Sequence, residues 1–307
     1  MPNALEQSIL KTVAYFDLFN FPLTSWEIKK YLYSPDQAAD FIQINQALSG
    51  LKNKFLESQE GFYFLKGRSN IVGMRKRRYL IADRKLRRAR PYVYLIGKLP
   101  FVKAVFICNN LAYRNAPGES DIDLAIITAN GSAWSARFFA AALMKLLCRR
   151  PTERTTRDRI CLSFFVDEDS LELKRLSYPD DIHFAYWVGQ FMPVFDPENY
   201  AERFFKANEW IKKFLPNIFS IKENYSAAGG TNSRAKINFP GGGILEKILH
   251  KFQLLIMPKR ILEKASQGNT DVVLGNGILK FHTKDRRLAV KQEWEEKIRK
   301  LSIENQK

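Results

Sequence analysis

A chain of 307 residues has room for two or three domains, and a hydrophobic fraction of 46% is that of a folded protein. A formal net charge of +17 favours a polyanionic partner such as a nucleotide or nucleic acid. Cys108, Cys148 and Cys161 form no Cys-x-x-Cys pair and read as buried small hydrophobes in a reducing compartment, while His183, His250 and His282 lack the spacing of a zinc site.

Apolar residues recur from Leu5 to Phe19 at helical spacing, and Asn20 Phe21 Pro22 ends that helix. Thr24, with Glu27 three residues on, forms a capping box for a second helix through Trp26, Ile28, Tyr31 and Leu32. A third helix is predicted from about Phe41 to Leu56, followed by a short strand over Gly61 to Leu65. Three helices and a β-wing over residues 1–68 read as a winged helix. Its third helix carries Gln43, Asn45, Gln46, Lys52 and Asn53, residue types that meet base edges or phosphates.

Residues 74–90 then interleave Arg75, Lys76, Arg77, Arg78, Arg84, Lys85, Arg87, Arg88 and Arg90 with Met74, Tyr79, Leu80, Ile81 and Leu86. The spacing predicts a long amphipathic helix, one face buried and the other a cationic track for nucleic acid or triphosphate.

Val102 to Cys108 reads as a short apolar strand, and Asn109 to Pro117 as a turn or short helix with a Pro-Gly exit. The next stretch, Gly118 Glu119 Ser120 Asp121 Ile122 Asp123 Leu124 Ala125 Ile126 Ile127 Thr128, sets two carboxylates one residue apart at the head of an apolar run. On a strand, i and i+2 share a face, so Asp121 and Asp123 project together while Ile122 and Leu124 turn into the core. A hard cation such as Mg²⁺ takes one or two carboxylates plus substrate phosphates, which fits this pair.

The order strand, short helix, loop, then a strand opening with Asp-x-Asp resembles the nucleotidyltransferase superfamily that includes DNA polymerase beta, the kanamycin nucleotidyltransferases and the small MNT-type enzymes. The resemblance covers residues 69–178. It implies an α+β nucleotidyltransferase fold, a small mixed sheet with helices on one face, with Mg²⁺ on Asp121 and Asp123 and a nucleoside triphosphate as substrate. In the family a Gly-Gly or Gly-Ser pair after the first strand holds the triphosphate. Here Asn109 and Asn110 take its place, and Asn tolerates left-handed backbone better than most residues. Asn109, Asn110, Arg114 and Ser120 are the candidate nucleotide-binding residues.

The family's third carboxylate falls on the strand Arg159 to Val166, whose central polar residue is Ser163. Either Asp167 reaches in from just past its end, or the third acid is absent. Period-two alternation, which puts Ser163 on one face with Cys161 and Phe165 and leaves Asp167 beyond the sheet, favours absence.

Ala133 to Cys148 is predicted as a helix covering the sheet, and Arg149, Arg150, Arg154, Arg157 and Arg159 as a basic loop able to meet phosphate. Residues 179–307 are expected to be mainly helical. Asp181 to Val194 forms an aromatic helix and Ala201 to Phe214 a second. A Gly/Ser-rich linker lies near 223–243, and helices follow over Ile244 to Lys264, interrupted at Pro258, and Leu288 to Leu301.

The functional expectation is Mg²⁺-dependent transfer of a nucleoside monophosphate from a triphosphate to an acceptor hydroxyl. The alternative is a catalytically inactive member of the same fold that binds DNA through its winged helix. With no leader-like N-terminus and no run approaching ~20 apolar residues, the expected setting is the cytoplasm, with no membrane partner.

Overall fold

Helix starts in the N-terminal unit are fixed by side chains that answer free backbone amides. In this computed structural model, which describes residues 2–33, 39–152, 154–219, 243–268, 270–275, 277–283 and 285–304, Asn3 and Glu6 form a capping box at α1 (Ala4–Asp17). Thr24 closes β1 (Leu23–Thr24) and caps α2 (Ser25–Lys30) with Glu27, as the sequence predicts. Asp40 and Gln43 repeat the device at α3 (Phe41–Leu51). That helix stops short of Leu56 because Lys52 is extended and Asn53 turns left-handed, at φ 67°. Leu56 instead opens β2 (Leu56–Gln59), which pairs with β3 (Phe62–Leu65) across Glu60 and Gly61. Both turn residues have positive φ, as a tight hairpin requires. The three strands form an antiparallel sheet in the order β1-β3-β2.

The basic segment is one 28-residue helix, α4 (Asn70–Gly97). Two of its cations turn inward. Arg75 is buried over the Phe21 ring, 3.6 Å from its centroid, and bonds Glu27 at 2.7 Å. Lys85 is buried against the main sheet.

The main sheet follows as β4 (Val102–Ile107), helix α5 (Asn109–Ala112), β5 (Ile122–Thr128), α6 (Ala133–Leu146) and β6 (Ile160–Asp167). Then come α7 (Ile182–Gly189), β7 (Met192–Phe195) and α8 (Tyr200–Ala207). Helices α9 (Ile244–Leu255) and α10 (Lys259–Ser266), strands β8 (Val272–Gly275) and β9 (Ile278–Phe281), and α11 (Arg287–Glu304) complete the described chain. The strand order is β7-β4-β5-β6-β9-β8, with β5 and β6 parallel and the other pairs antiparallel. The chain is thus α+β with open sheets, and the main sheet is mixed.

Residues 179–307 add the short strands β7, β8 and β9 to their helices. Two expectations are corrected. The aromatic helix expected to reach Val194 ends at Gly189, and Pro193 sits in β7 at the sheet edge, where a missing N–H is tolerated. Helices cover both faces of the sheet rather than one. Phe106, Ala125, Ile127, Phe164 and Val166 pack towards α7 and α8, while Val105, Leu124, Ile126, Leu162 and Phe165 pack towards α4 and α6. The linker expected near 223–243 lies outside the described residues except Gly243. No helix among the described residues is long and apolar enough to cross a membrane.

The N-terminal unit shares the first of these cores. Tyr15 of α1 stacks on Tyr186 of α7 with centroids 4.1 Å apart, and the Tyr186 hydroxyl donates to the Tyr31 carbonyl at 2.7 Å. Arg287 joins α11 to α7 from the other side through Asp181.

Candidate functional site

The site grows from the head of β5. Ile122 and Leu124 are buried at 1% and 0% exposure and anchor the strand, so the residues between and before them face the α7 side. Asp123 pairs in register with Cys161 of β6, and oxygens of Asp121 and Asp123 and the sulfur of Cys161 all lie within 4.8 Å of one another. The parallel register slips between Leu124 and Ala125, which makes Ser163 a bulge. Alternation resets there: Phe164, not Phe165, shares the face of Cys161. Ser163 Oγ is buried, lines the cleft and has no hydrogen-bond partner.

Asn109 opens α5 with a left-handed backbone, φ 57°, the geometry for which asparagine is among the better-suited residues. Its side-chain carbonyl accepts from Trp187 Nε1 at 2.7 Å, and its side chain also bonds Asp123. Burial, and next the neighbouring Asp121, raise the Asp123 carboxyl from the ordinary 3.8 to about 6, against the hydrogen bonds from Asn109 and Cys161. Burial and the two aspartates push the Cys161 thiol well above its usual range. Two like charges held this closely call for a cation.

Before these acids lies a cleft of about 470 Å³. Its lining includes the C-terminal segment, with Lys280 on β9, Arg286 just before α11 and Arg287 at its start. His183, Phe184 and Trp187 of α7, Phe281, His282, Thr283 and the Asp285 carboxylate also line it. Lys280 is buried, donates to the Thr270 carbonyl at 2.6 Å and stands 3.6 Å from Asp285. Burial, then Arg287, lowers its ammonium to about 8. Arg287 Nε bonds Asp285 at 2.6 Å and Nη1 bonds Asp181 at 3.1 Å. Burial lowers His183 to about 4 and His282 to about 3, so both rings are neutral at pH 7. His183 Nδ1 bonds the Tyr15 hydroxyl at 2.7 Å, whereas His282 Nε2 has no partner.

Compared with protein-family models, with curated proteins and with solved structures, the chain matches none. What the site can do is therefore argued from its own geometry.

That geometry gathers Asn109, Asp121 and Asp123 of the expected set and leaves the others apart. The Asn110 side chain accepts from the Tyr113 hydroxyl at 2.6 Å and does not line the cleft. Arg114 bonds the Tyr79 hydroxyl at 2.9 Å and lines a second cleft, beside Trp26 and Arg75. Ser120 Oγ turns back to the Pro117 carbonyl at 2.9 Å. Asp167 is in the sheet, not beyond it, but pairs with Thr128 at the opposite end of β5 from Asp123, roughly 16 Å along the strand at about 3.3 Å per residue. Its carboxylate is taken up by Thr128 and by the Gly131 amide, so it is no third acid for this site. In its stead stands a thiol.

Cys161, His183, Lys280, His282, Arg286 and Arg287 were not anticipated. The signal for Lys280 was present: a lysine within Ile278 Leu279 Lys280 Phe281 is out of place in a strand unless a carboxylate meets it. Of the three cysteines, Cys108 is buried as expected, Cys161 is half-buried and Cys148 is exposed.

Proposed function

We propose that the chain is a nucleotidyltransferase-fold protein acting on a nucleoside triphosphate, with a divalent cation on Asp121 and Asp123. The observation that carries this reading is the paired carboxylates on a cleft that Lys280, Arg286 and Arg287 also line, three cations to the one further carboxylate of Asp285, an arrangement suited to a metal-bound polyphosphate. The unpartnered Ser163 Oγ and the raised Asp123 carboxyl fit a group that enters and neutralises this pocket. When bound, Mg²⁺ would supply charge neutralisation at the α-phosphate. Arg286 on the cleft lining would meet the outer phosphates, and Asn109, held by Trp187, would fix the orientation of Asp123. An acceptor hydroxyl oxygen attacks the α-phosphorus, the bond to the bridging oxygen breaks, pyrophosphate leaves with that electron pair, and the hydroxyl proton passes to solvent. The test is pyrophosphate release with each triphosphate and a divalent cation, Mg²⁺, Co²⁺ or Zn²⁺ in turn. Release that is lost in Asp121→Asn and Asp123→Asn supports transfer. No release with any triphosphate or acceptor removes the enzyme reading.

One observation favours a second reading, a nucleotide-binding regulator without turnover: Cys161 and Ser163 stand where the resemblance implies a third carboxylate, leaving no spare base for the attacking hydroxyl. The N-terminal order of helix, strand, two helices and hairpin supports the winged-helix reading, in which Gln43, Gln46, Lys52 and Asn53, exposed on or just after α3, would meet DNA. Nucleotide binding without pyrophosphate release, together with salt-dependent retention on DNA, would select this reading.

A further inference from the structure

We infer that Cys161 completes the cation site with Asp121 and Asp123, and that this thiolate and carboxylate set selects a borderline divalent metal of the Zn²⁺ and Co²⁺ class over Mg²⁺. The inference rests on the reading of the acid pair as a cation site and names the cation.

Three observations converge. The sulfur and one oxygen from each aspartate lie within 4.8 Å of one another, close enough for one ion to reach all three. The in-register pairing of Asp123 with Cys161 on adjacent parallel strands fixes both side chains on one face, so the juxtaposition belongs to the sheet and not to a loose rotamer. Independently, the bulge turns Ser163, a residue only 6% exposed, into the same pocket, where its buried hydroxyl meets no protein partner. A buried hydroxyl without a partner is costly unless a ligand or a ligand-bound water answers it.

Ligand chemistry then chooses the ion. Mg²⁺ wants oxygen donors in near-octahedral array and gains little from sulfur, whereas Zn²⁺ and Co²⁺ bind thiolate strongly and accept four ligands. On binding, the Cys161 S–H bond breaks, the proton leaves to solvent and the sulfur lone pair forms the metal bond. Three anionic ligands against one dication leave a net charge of −1, and a fourth position stays open towards the cleft for water or a phosphate oxygen. The spacing of the three histidines gave no hint of this, because the third donor is a cysteine that reads locally as core.

The experiment uses the full chain, reduced and stripped of metal with a chelator, in a Cys148→Ser background that removes the exposed thiol. Titration with Co²⁺ is followed by near-ultraviolet thiolate-to-cobalt charge transfer. A one-to-one charge-transfer band is expected, displaced by equimolar Zn²⁺ but not by a hundredfold excess of Mg²⁺. Cys161→Ser should abolish the band and weaken Zn²⁺ binding by at least about a hundredfold, more than loss of an outer-shell partner does. Cys161→Asp, which restores an all-oxygen set, should shift selectivity back towards Mg²⁺. If Co²⁺ binds without the band, or Mg²⁺ displaces it at comparable concentration, this inference falls while the cation reading stands. If no divalent ion binds, both fall. Should the Cys161 variants fail to fold, the band in a Cys108→Ala, Cys148→Ser background, where Cys161 is the one thiol left, decides the matter.

Discussion

Replacing Asp123 by asparagine is expected to stabilise the metal-free protein and to abolish cation binding, two effects of opposite sign from one substitution. The carboxyl is raised from 3.8 to about 6 by burial and by Asp121, so its ionisation at pH 7 opposes folding. At roughly 1.4 kcal/mol per pH unit, that rise amounts to about 3 kcal/mol. Water reaches the cleft side of both acids and screens part of it, so about 2 kcal/mol is expected for Asp123→Asn, which keeps a carbonyl to accept from Asn109 and Cys161. With an unfolding entropy of about 2 cal/mol/K per residue, this corresponds to a rise of about 3 °C in Tm.

The pH dependence fixes the sign independently. Between pH 4 and 6 the folded chain holds a proton on Asp123 that the unfolded chain has released, so lowering the pH from 7 through this window stabilises the parent protein and leaves the variant unchanged at this site. A cation reverses the ranking. At a hundredfold excess over Kd it stabilises the parent by about 2.7 kcal/mol and the asparagine variant not at all. Scanning calorimetry at pH 5 and pH 7, with and without Zn²⁺ or Mg²⁺, reads all of this. A metal-free variant that is less stable than the parent at pH 7 would show that burial and Asp121 do not oppose ionisation of Asp123, and the case for a cation site would go with it.

Arg287→Met should lower unfolding free energy by about 3 kcal/mol in urea titration, since it strips a buried guanidinium from Asp181 and Asp285, the low end for such a loss because Lys280 remains near Asp285. Lys85→Met removes an ammonium that donates to the Ser120 carbonyl at 2.6 Å and to Asp158 at 2.8 Å. It should cost about 2 kcal/mol and, by loosening the approach to Asp121, weaken cation binding about tenfold by calorimetric titration. Asp167→Asn should leave cation affinity within about twofold of the parent, because Asp167 serves Thr128 and Gly131 at the other end of β5. A larger loss would return it to the site.

Elements whose boundaries are set by neighbours in sequence were legible. The Thr24 and Glu27 box, the helical stripe of α1 and the shared face of Asp121 and Asp123 all follow from spacing, and all three are present. What failed has a common cause in distant pairing. The Ser163 bulge is imposed by the register against β5, so alternation counted along β6 alone puts Phe165 on the wrong face. Gln190 to Val194 continues an aromatic, helix-like pattern, and only the free edge beside β4 makes Met192 and Pro193 strand. Cys148 and Cys161 both read as small hydrophobes beside apolar neighbours, yet one is exposed and the other faces two aspartates.

The cleft depends on the same long-range pairing. Lys280 and Arg287 would be prohibitively costly to bury as isolated cations, and the carboxylates that answer them come from Asp181 at the start of α7 and Asp285 just before α11. β9 reaches this position only by pairing with β6, whose Phe164 to Val166 meet Ile278 to Lys280. The strand that carries Cys161 to the acid pair therefore also brings the cationic residues to the same cleft. A register slip of one residue between β6 and β9 would turn Lys280 to the opposite side of the sheet, among Leu279's present apolar neighbours, where no carboxylate waits. The charged network around Lys280 thus makes that slip unfavourable, and in holding the register it fixes the distance between the two sides of the cleft.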